Sequence, residues 1–576
     1  MPKLVLAGFD GLYPRTSPTL LRQNQATVAQ DVKIHSGELR AWGSPANVFT
    51  TSNGGPVYSI YKIYNDIGQS SWLTWAGIVD AVLGPLADVS EVRVYYTDGT
   101  APKKTNYVMA IGTTAPYPTN WLNMGVPTPA TAPTVGVTTG SSVTAETRAY
   151  VYTYVSTFGS VTEESAPSPA SALVTISTGN AVDISGFATA PTANYNITAI
   201  RIYRTISGSA TGASFAFVDE IPVTASTGVV VASGNSTNGV AYTGSTYKDD
   251  YLAASLGEAL GTSGWGPPPA ALQGIVALGN GMLAGFVGNA VYFSEPYFPH
   301  SWPLEYQQTV PFNIVGLGVF SGALVVCTDK YPVILSGADP SSMSQEVIAL
   351  PEPCMSKRSI VSAELSVTYA SPNGLVSIGS FDRGIVTSKL FRREEWQQFN
   401  PSSIIAQAYA GKYFGFFTST LHGNGALVLG QDEIIETTFQ IKQATTMTLF
   451  NQAADAVHVD VVNGILYYTN PTDNNVYQLD ATSTSPLSYT WTSKRFMTDH
   501  ANAWSVIKVD ADYSTGGSVT VNISGDNGAT AASVTVSSLD PVRLPAFRAR
   551  EMGVSISGNV SVRSITLSTS FPELYQ

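Results

Sequence analysis

Ala7–Trp42 reads AGFDGLYPRTSPTLLRQNQATVAQDVKIHSGELRAW, and this stretch is the most informative one about the fold. Asn24 is suited to a helix N-cap, because its side-chain oxygen can accept hydrogen bonds from backbone N–H groups two or three residues ahead. Ala26, Ala29 and Val32 then fall on one helical face. We therefore predict a loop followed by a short helix that must dock on the rest of the chain.

A hairpin follows the predicted helix. Val32–Ile34 and Glu38–Ala41 flank Ser36–Gly37, where Gly37 adopts positive φ at little cost. This order of loop, helix and hairpin, ending in Ser-Gly-Glu-Leu-Arg, resembles the start of the podovirus tail nozzle proteins, also called tail tubular protein B. Two later stretches are similar to the same family, WLTWAGIVDAVLGPLADVSEVRVYYTDGTAPKK (Trp72–Lys104) and FRAREMGVSISGNVSVRSITLS (Phe547–Ser568).

The collinear order of these stretches carries the resemblance. It implies a non-enzymatic virion protein that forms a six-fold ring, extends the phage tail tube and lets the genome pass. The expected partners are further copies of the chain, the tail adaptor protein, the tail fibres or spikes, and double-stranded DNA that crosses the channel without specific binding. No cofactor is implied, and the expected location is the virion tail, after synthesis in the host bacterial cytoplasm.

Composition is consistent with a β-rich structural protein. Among 576 residues, 44% are hydrophobic and only 12% are charged, with 51 glycines and 34 prolines, a mixture typical of short strands joined by tight turns. Soluble domains carry about 25% charged residues, so the low value indicates surface that is buried against partners. A β-rich protein with a polar Ser/Thr surface is the alternative.

The charge argues against a nucleic-acid binder. The net charge is −12 and the pI is about 4.9, and the most basic doublet, Arg392–Arg393, is followed at once by Glu394–Glu395.

Cys327 and Cys354 provide neither a disulfide framework nor zinc-site spacing. The apolar run before Asp10 is too short for a signal peptide.

The chain is also predicted to lack a membrane span. Its most apolar stretch, Gly274–Gly288, is interrupted and falls short of the ~20 residues that a membrane helix needs.

The first part of the chain contains three strand-like runs. They are Val57–Tyr64, Trp72–Val79 and Val92–Tyr96, separated by turn residues, and we predict that they form one antiparallel sheet. Gly125–Val135 (GVPTPATAPTV) is proline-rich and predicts an extended connection to the next domain.

A different β pattern follows that connection. In Arg148–Ser156 tyrosines alternate with Val and Thr, so the two sets point to opposite sheet faces. Ala199–Thr205 and Phe215–Glu220 predict a hairpin. Pattern and length from Pro127 to Tyr247 resemble a fibronectin type III or immunoglobulin-like sandwich, which implies a spacer or a binding module.

A loose repeat begins after Pro267–Pro269. Each copy has an apolar run, a Gly-containing turn, a second run and a polar loop, and the copies start at Ile275, Ile314, Ile360, Ile404 and Val457. The intervals of 39, 46, 44 and 53 residues are near the ~40–50 of four-stranded propeller blades. Radial blades hide most strand edges.

The predicted fold is therefore all-β: an irregular β-propeller with an inserted fibronectin III/Ig-like sandwich and a C-terminal β region. The predicted domains are listed in chain order: 1–50, a docking segment of helix and hairpin; 51–125, an early blade; 126–250, the sandwich; 251–490, the remaining blades; 491–576, a β region that completes the nozzle platform.

Interface residues are expected at both ends of the chain. Arg15, Leu20 and Leu21 belong to the opening unit, and Arg548 and Arg550 point to one face of a C-terminal strand, where they can pair with carboxylates of a partner. The alternative for the two C-terminal arginines is a solvated strand face.

Catalytic and metal-binding patterns are weak. The five histidines lie on different predicted elements: His35, His300, His422, His458 and His500. We expect His300 to pack against Trp302. Paired carboxylates are the mark of glycosidases, but the doublets Glu394–Glu395 and Asp432–Glu433 would point to opposite faces of a strand.

Two acidic loops are interpreted as turns. Asp526 is expected to accept backbone N–H bonds in a hairpin, and Asn470–Asn475 is expected to form an Asx-turn. We predict no enzyme activity and no metal. Two alternatives stay open, a receptor-binding tail component, suggested by the sandwich, Tyr297–Trp302 and Trp396, and a glycan-degrading propeller.

Overall fold

The structure is a computed structural model that describes residues 3–35, 37–85, 92–206, 214–231, 233–380, 383–430, 446–514 and 516–575. Strands take 49% of the chain and helices 5%, which confirms the predicted all-β class. None of the helices in these ranges has the length or apolar character of a membrane-spanning segment. The α-helices of the described residues are α1 (Tyr107–Ala110) and α2 (Arg393–Gln397), and the short 3₁₀ helices are Ala253–Ser255, Leu304–Tyr306, Pro340–Ser342, Lys357–Ser359, Pro401–Ser403 and Pro572–Tyr575.

The described residues of the opening unit form strands and no helix. Its strands are β1 (Lys3–Ala7), β2 (Ala26–Gln30), β3 (Val32–His35), β4 (Glu38–Ala41) and β5 (Ala46–Phe49). The hairpin β3–β4 is confirmed, with Gly37 at φ 77°. The helix predicted after Asn24 is wrong, because those residues form β2. A register shift between Ala26 and Val28 buries both Ala26 and Ala29, so the bulge reproduces the spacing of a helical face.

The next strands form two sheets. They are β6 (Ser59–Tyr64), β7 (Ser70–Trp75), β8 (Asp80–Leu83), β9 (Arg93–Thr97), β10 (Lys103–Asn106) and β11 (Leu122–Asn123). The prediction of one antiparallel sheet is wrong, since among the described strands β6 pairs with β7 alone and the other four form their own sheet in the order β11-β10-β9-β8. The outer edge of β7 is already occupied, because the N–H of Thr74 donates to the carbonyl of Tyr117 at 2.8 Å.

The middle region builds two main sheets on one core. Its strands are β12 (Thr134–Thr139), β13 (Glu146–Arg148), β14 (Tyr150–Phe158), β15 (Val161–Glu164), β16 (Val174–Ile176), β17 (Asn180–Ser185), β18 (Ile197–Thr205), β19 (Phe215–Thr224), β20 (Val229–Val230), β21 (Ser233–Asn235), β22 (Ala241–Thr243) and β23 (Tyr247–Asp249). The sheets β15-β14-β18-β19-β20 and β12-β17-β23 contribute to one hydrophobic cluster that includes Tyr150, Tyr152 and Tyr154. The predicted hairpin is confirmed as β18–β19.

Four-stranded units follow one another after residue 270. Their strands are β24 (Gln273–Ala277), β25 (Leu283–Val287), β26 (Ala290–Phe293), β27 (Gln308–Thr309), β28 (Ile314–Phe320), β29 (Ala323–Thr328), β30 (Val333–Ser336), β31 (Ser344–Val347), β32 (Val361–Ser362), β33 (Ser366–Ser371), β34 (Gly374–Gly379), β35 (Arg383–Ile385), β36 (Ile405–Tyr409), β37 (Lys412–Ser419), β38 (Gly423–Gly430) and β39 (Thr446–Phe450). Pairing is sequential within each group of four.

A further sheet joins both parts of the chain. β40 (Ala456–Asp460), β41 (Ile465–Thr469) and β42 (Val476–Gln478) pair in order, and β5 from the opening unit adds the fourth strand. All five predicted repeat starts fall in or beside the first strand of a four-stranded unit. Contacts between these first strands run from β8 to β24, β28, β32, β36 and β40, and β40 then contacts β6.

The remaining strands combine with the opening unit. They are β43 (Tyr489–Ser493), β44 (Phe496–Ala511), β45 (Val519–Ser524), β46 (Thr530–Val536), β47 (Val542–Gly558) and β48 (Val562–Ser568). One sheet has the order β3-β4-β48-β44-β47-β43-β2-β39-β38-β37-β36, with β1 on β48 and β45 on β47. Trp491 is fully buried in its core, 4.9 Å from the ring of Phe9, and its indole N–H donates to the backbone carbonyl of Asp10. The two ends of the chain therefore share one core.

Candidate functional site

The interface residues predicted in the opening unit differ in exposure. Leu20 is 77% exposed, and Arg15 also lies at the surface. Leu21 is buried within the chain, and its carbonyl accepts a hydrogen bond from the ammonium of Lys494 at 2.6 Å. Leu20 is therefore the leucine that is available to a partner, and Leu21 anchors the loop.

Arg15 and Leu20 lie at a cleft of about 480 Å³ that brings distant parts of the chain together. We call it the cationic cleft, and its lining residues are Arg15, Thr16, Ser17, Leu20, Lys389 and Arg392. The backbone N–H of Arg15 donates to the carbonyl of Leu390 at 3.0 Å, and its guanidinium donates to the carbonyl of Ser388. These bonds hold the two segments in register.

The side of the cleft that Lys389 and Arg392 form lies next to α2, which packs on buried aromatic residues. Arg392 precedes α2, where Glu395 accepts its backbone N–H at 2.6 Å and so caps the helix. Trp396 on α2 is fully buried against Phe391, with ring centroids 5.6 Å apart. A fixed helix start thus places the Arg392 side chain in solvent beside Lys389.

The predicted C-terminal residues lie on the long strand β47, which pairs with β44. Arg548 and Arg550 are both exposed and flank the buried Ala549, as alternation along a strand requires. The backbone N–H groups of Arg550 and Glu551 donate to Asp526 at 2.7 and 2.6 Å. Asp526 therefore accepts backbone N–H bonds as expected, but the donors belong to β47 and not to its own hairpin. It fixes the strand that carries both arginines.

A charged and aromatic cluster joins β6 to β40 and β41. The ammonium of Lys62 lies 3.1 Å from the Asp460 carboxylate, 3.2 Å from the Tyr467 hydroxyl and over the Tyr467 ring. Tyr64 also donates to Asp460, which is 2% exposed. Burial opposes the charge of Asp460, yet the hydrogen bonds that it accepts lower its pKa to about 2. His458 accepts the backbone N–H of Lys62 at 3.4 Å.

A second cluster lies between β10 and the middle region. Lys104 and Glu163 form an ion pair with side chains only 1% and 4% exposed, and Lys104 and Arg93 both face the Phe158 ring. Burial raises the pKa of Glu163, but the charge and hydrogen bond of Lys104, together with the charges of His300 and Arg93, more than offset this, so that the pKa lies below its ordinary value. Burial also lowers the pKa of His300 to about 4, so its imidazole is neutral near pH 7. Each cluster connects two sheets: the first connects β6 with the sheet of β40 and β41, and the second connects β10 with the middle region.

Three histidines have aromatic neighbours: His300, His422 and His458. The ring of His300 packs 5.4 Å from Trp265 and also contacts Phe298, while its expected packing against Trp302 stays a prediction. His422 stacks on Phe399 at 4.5 Å. Within the described ranges, no group of three or more His, Cys, Asp or Glu side chains is arranged to hold a metal ion.

The carboxylate doublets are placed differently from the expectation. Glu394 and Glu395 lie in the first turn of α2, so their assignment to a strand is wrong. Asp432–Glu433 lies outside the described residues. The Asx-turn is confirmed, because the N–H of Thr472 donates to the Asn470 side chain at 2.9 Å.

Sequence reasoning missed several residues of these sites. Arg392 was discounted because acidic residues follow it, but Glu395 turns back to cap α2 and leaves the guanidinium free to face the cleft. Lys389 carried no sequence signal. The pairs Lys62–Asp460 and Lys104–Glu163 are 398 and 59 residues apart, so no local pattern could have identified them.

Comparisons with known proteins give no family. No family model matches the chain, and no curated protein matches it. Among solved structures, PorZ, a surface component of the type-IX secretion system of Porphyromonas gingivalis, is 11% identical, with 90% of this chain and 82% of that chain covered and a TM-score of 0.24. The N-terminal domain of Nup159 is 7% identical, with 79% and 98% covered and a TM-score of 0.25. Scores this low support no conclusion about fold or function.

Proposed function

We propose that this chain is a subunit of a phage tail nozzle, a non-enzymatic ring that extends the tail tube and conducts the genome. One observation supports it above the others. The stretches Ala7–Trp42 and Phe547–Ser568 carry the resemblance to the nozzle family, and their strands are neighbours in one sheet, with β48 pairing to both β1 and β4. Two distant stretches that resemble one family thus build one structural unit, which we assign as the nozzle platform.

The architecture that we propose with this function is an irregular propeller of seven sheets. The succession of first strands that begins at β8 and ends at β6 supports it, because adjacent blades of a propeller contact through their inner strands. The strand β5, which completes the sheet of β40–β42, joins the beginning of the chain to its last blade. The middle region, with two sheets on one core, is proposed as the inserted fibronectin III/Ig-like sandwich.

The acidic character of the chain suits a conduit. A wall rich in Lys and Arg would hold DNA phosphates through counter-ion release, whereas an acidic or neutral wall lets the duplex slide. With a net charge of −12, the chain favours the second case. The proposed partners are neighbouring copies, the tail adaptor and the tail fibres or spikes, and the proposed location is the virion tail.

Electron microscopy of the purified full chain tests the proposal. We expect rings of six copies with an open bore, and antibodies raised against the chain should label the tip of the tail in virions. A protein that stays monomeric at micromolar concentration and is absent from virion tails would contradict it.

A receptor-binding tail component is the second candidate, favoured by the exposure of Tyr297 and Phe298. Trp302 and Trp396, which suggested the same role, are buried and therefore unavailable. Binding of the purified chain to host surface glycans, lost on replacing Tyr297 and Phe298 with alanine, would favour this role over the nozzle.

A further inference from the structure

The cationic cleft carries charge that the chain itself leaves uncompensated. Among the described residues, Arg15, Lys389 and Arg392 take part in no salt bridge, although the chain as a whole is strongly acidic. Glu395, on the first turn of α2, accepts the backbone N–H of Arg392. Three like charges around one cleft repel each other, and an anionic partner would offset this repulsion.

The cleft also presents an apolar contact. Leu20 is held by the turn in which its backbone N–H donates to the carbonyl of Ser17 at 2.9 Å, yet its side chain is 77% exposed. Guanidinium groups recognise carboxylates through paired hydrogen bonds, and a neighbouring leucine adds a small apolar contact. The surface that fits this cleft is therefore rich in carboxylates and contains an exposed aliphatic side chain.

A surface of that kind exists elsewhere on the same chain. We call it the acidic patch, and it consists of Glu295, Leu304, Glu305 and Asp339. Leu304 is 82% exposed, and the 3₁₀ helix that it begins contacts the 3₁₀ helix that Asp339 caps. Within the described ranges, none of the three carboxylates takes part in a salt bridge.

The three carboxylates of the patch lie around one tyrosine. Burial and a hydrogen bond to Glu295 raise the pKa of Tyr306 to about 12. The charges of Asp339 and Glu305 act in the same direction. The patch is therefore one concentration of negative charge beside an exposed leucine, the reverse of the cleft.

We propose that the cationic cleft of one copy receives the acidic patch of the next copy in the ring. The patch lies on the sheets β24–β27 and β28–β31, while Lys389 and Arg392 follow the next sheet, β32–β35. Two different, complementary surfaces on one chain form a head-to-tail contact, which repeats around a closed ring. This inference rests on the proposed ring and assigns its subunit interface.

Charge reversal of the full chain tests the interface. The cleft variant carries Arg15→Glu and Arg392→Glu, and the patch variant carries Glu305→Lys and Asp339→Lys. Each variant alone has like charges on both surfaces, so we expect its ring dissociation constant to rise about tenfold or more, as measured by sedimentation velocity. Mixed in equal amounts, the two variants restore opposite charges at every contact of an alternating six-membered ring.

Reversals away from both surfaces provide the controls. Lys248→Glu and Asp540→Lys should assemble like the wild type, and circular dichroism should show all variants folded. Recovery of rings only in the mixture supports the interface. Rings formed by either variant alone, or no recovery on mixing, would overturn the interface while leaving the nozzle intact. A wild-type chain that forms no ring would overturn the proposed nozzle, and the interface with it.

Discussion

Replacing Glu163 with glutamine removes the only negative charge of the ion pair with Lys104 and leaves the ammonium buried beside Arg93. Breaking a buried ion pair from one side costs about 3–5 kcal/mol. Lys104 can also lose its proton and become neutral, and deprotonating an ordinary lysine at pH 7 costs about 4.6 kcal/mol. This cost is the upper limit of the destabilisation, because the neutral lysine no longer carries a buried charge. The packing of β10 against β15 should therefore be destabilised by about 3–4 kcal/mol.

Hydrogen exchange measures this loss where it occurs. Amides of residues 93–106 and 158–164 should exchange about 10²–10³-fold faster in Glu163→Gln than in the wild type, at about 1.4 kcal/mol per tenfold change. Glu346→Gln is the matched control, because Glu346 is 57% exposed and pairs with Arg383 at the surface. Exposed pairs contribute about 0–1 kcal/mol, so its exchange should barely change.

A second variant separates loss of the charge from loss of packing. The double change Glu163→Gln with Lys104→Met removes both charges of the ion pair, so protection should largely return. Exchange in Glu163→Gln that matches the Glu346→Gln control would refute the reasoning. So would a double variant that is less stable than the single one.

Three further changes test other parts of the structure. Burial lowers the pKa of His458 to about 4, whereas an unfolded histidine takes up its proton near pH 6.5. The stability of the folded chain should therefore fall as the pH drops from about 6.5 to about 4, and it should fall less in His458→Gln. Thermal melts across this pH range measure the difference. Gly11→Ala places a Cβ 2.3 Å from a main-chain oxygen and should lower the melting temperature, whereas Gly136→Ala meets nothing within 4 Å and should not; equal melting temperatures would contradict this. Tyr150→Phe removes a 2.8 Å hydrogen bond to buried Asp249 and should destabilise the middle region by about 1–3 kcal/mol, whereas unchanged hydrogen exchange in strand β14 would argue against it.

Local patterns predicted the elements whose stabilising partners are close in sequence. The hairpin at Gly37 and the hairpin β18–β19 were recognised because turn residues separate two strand-like runs. The repeat starts were located because the strands within each unit pair in chain order, apart from the fourth strand of the last unit, which β5 supplies. In these cases the residues that determine the structure lie within about 50 positions of one another.

Local patterns did not predict elements that depend on pairing between distant segments. Ala26–Gln30 has the apolar spacing of a helix, but β43, more than 450 residues later, supplies a strand partner and the bulge explains the spacing. The candidate cleft shows the same limit. Arg15 was expected at an interface, but Lys389 and Arg392 join it only because the loop after Tyr13 bonds to the chain around Leu390.

The amino-acid sequence alone determined the all-β class, the turns and the repeat of four-stranded units, because glycine, proline and alternating apolar residues act over a few positions. Only the tertiary structure decided which strands complete each sheet, which leucine of the opening loop is exposed and which charges meet. Backbone hydrogen bonds between strands and ion pairs form between residues that are hundreds of positions apart, and no short window of sequence records such pairs.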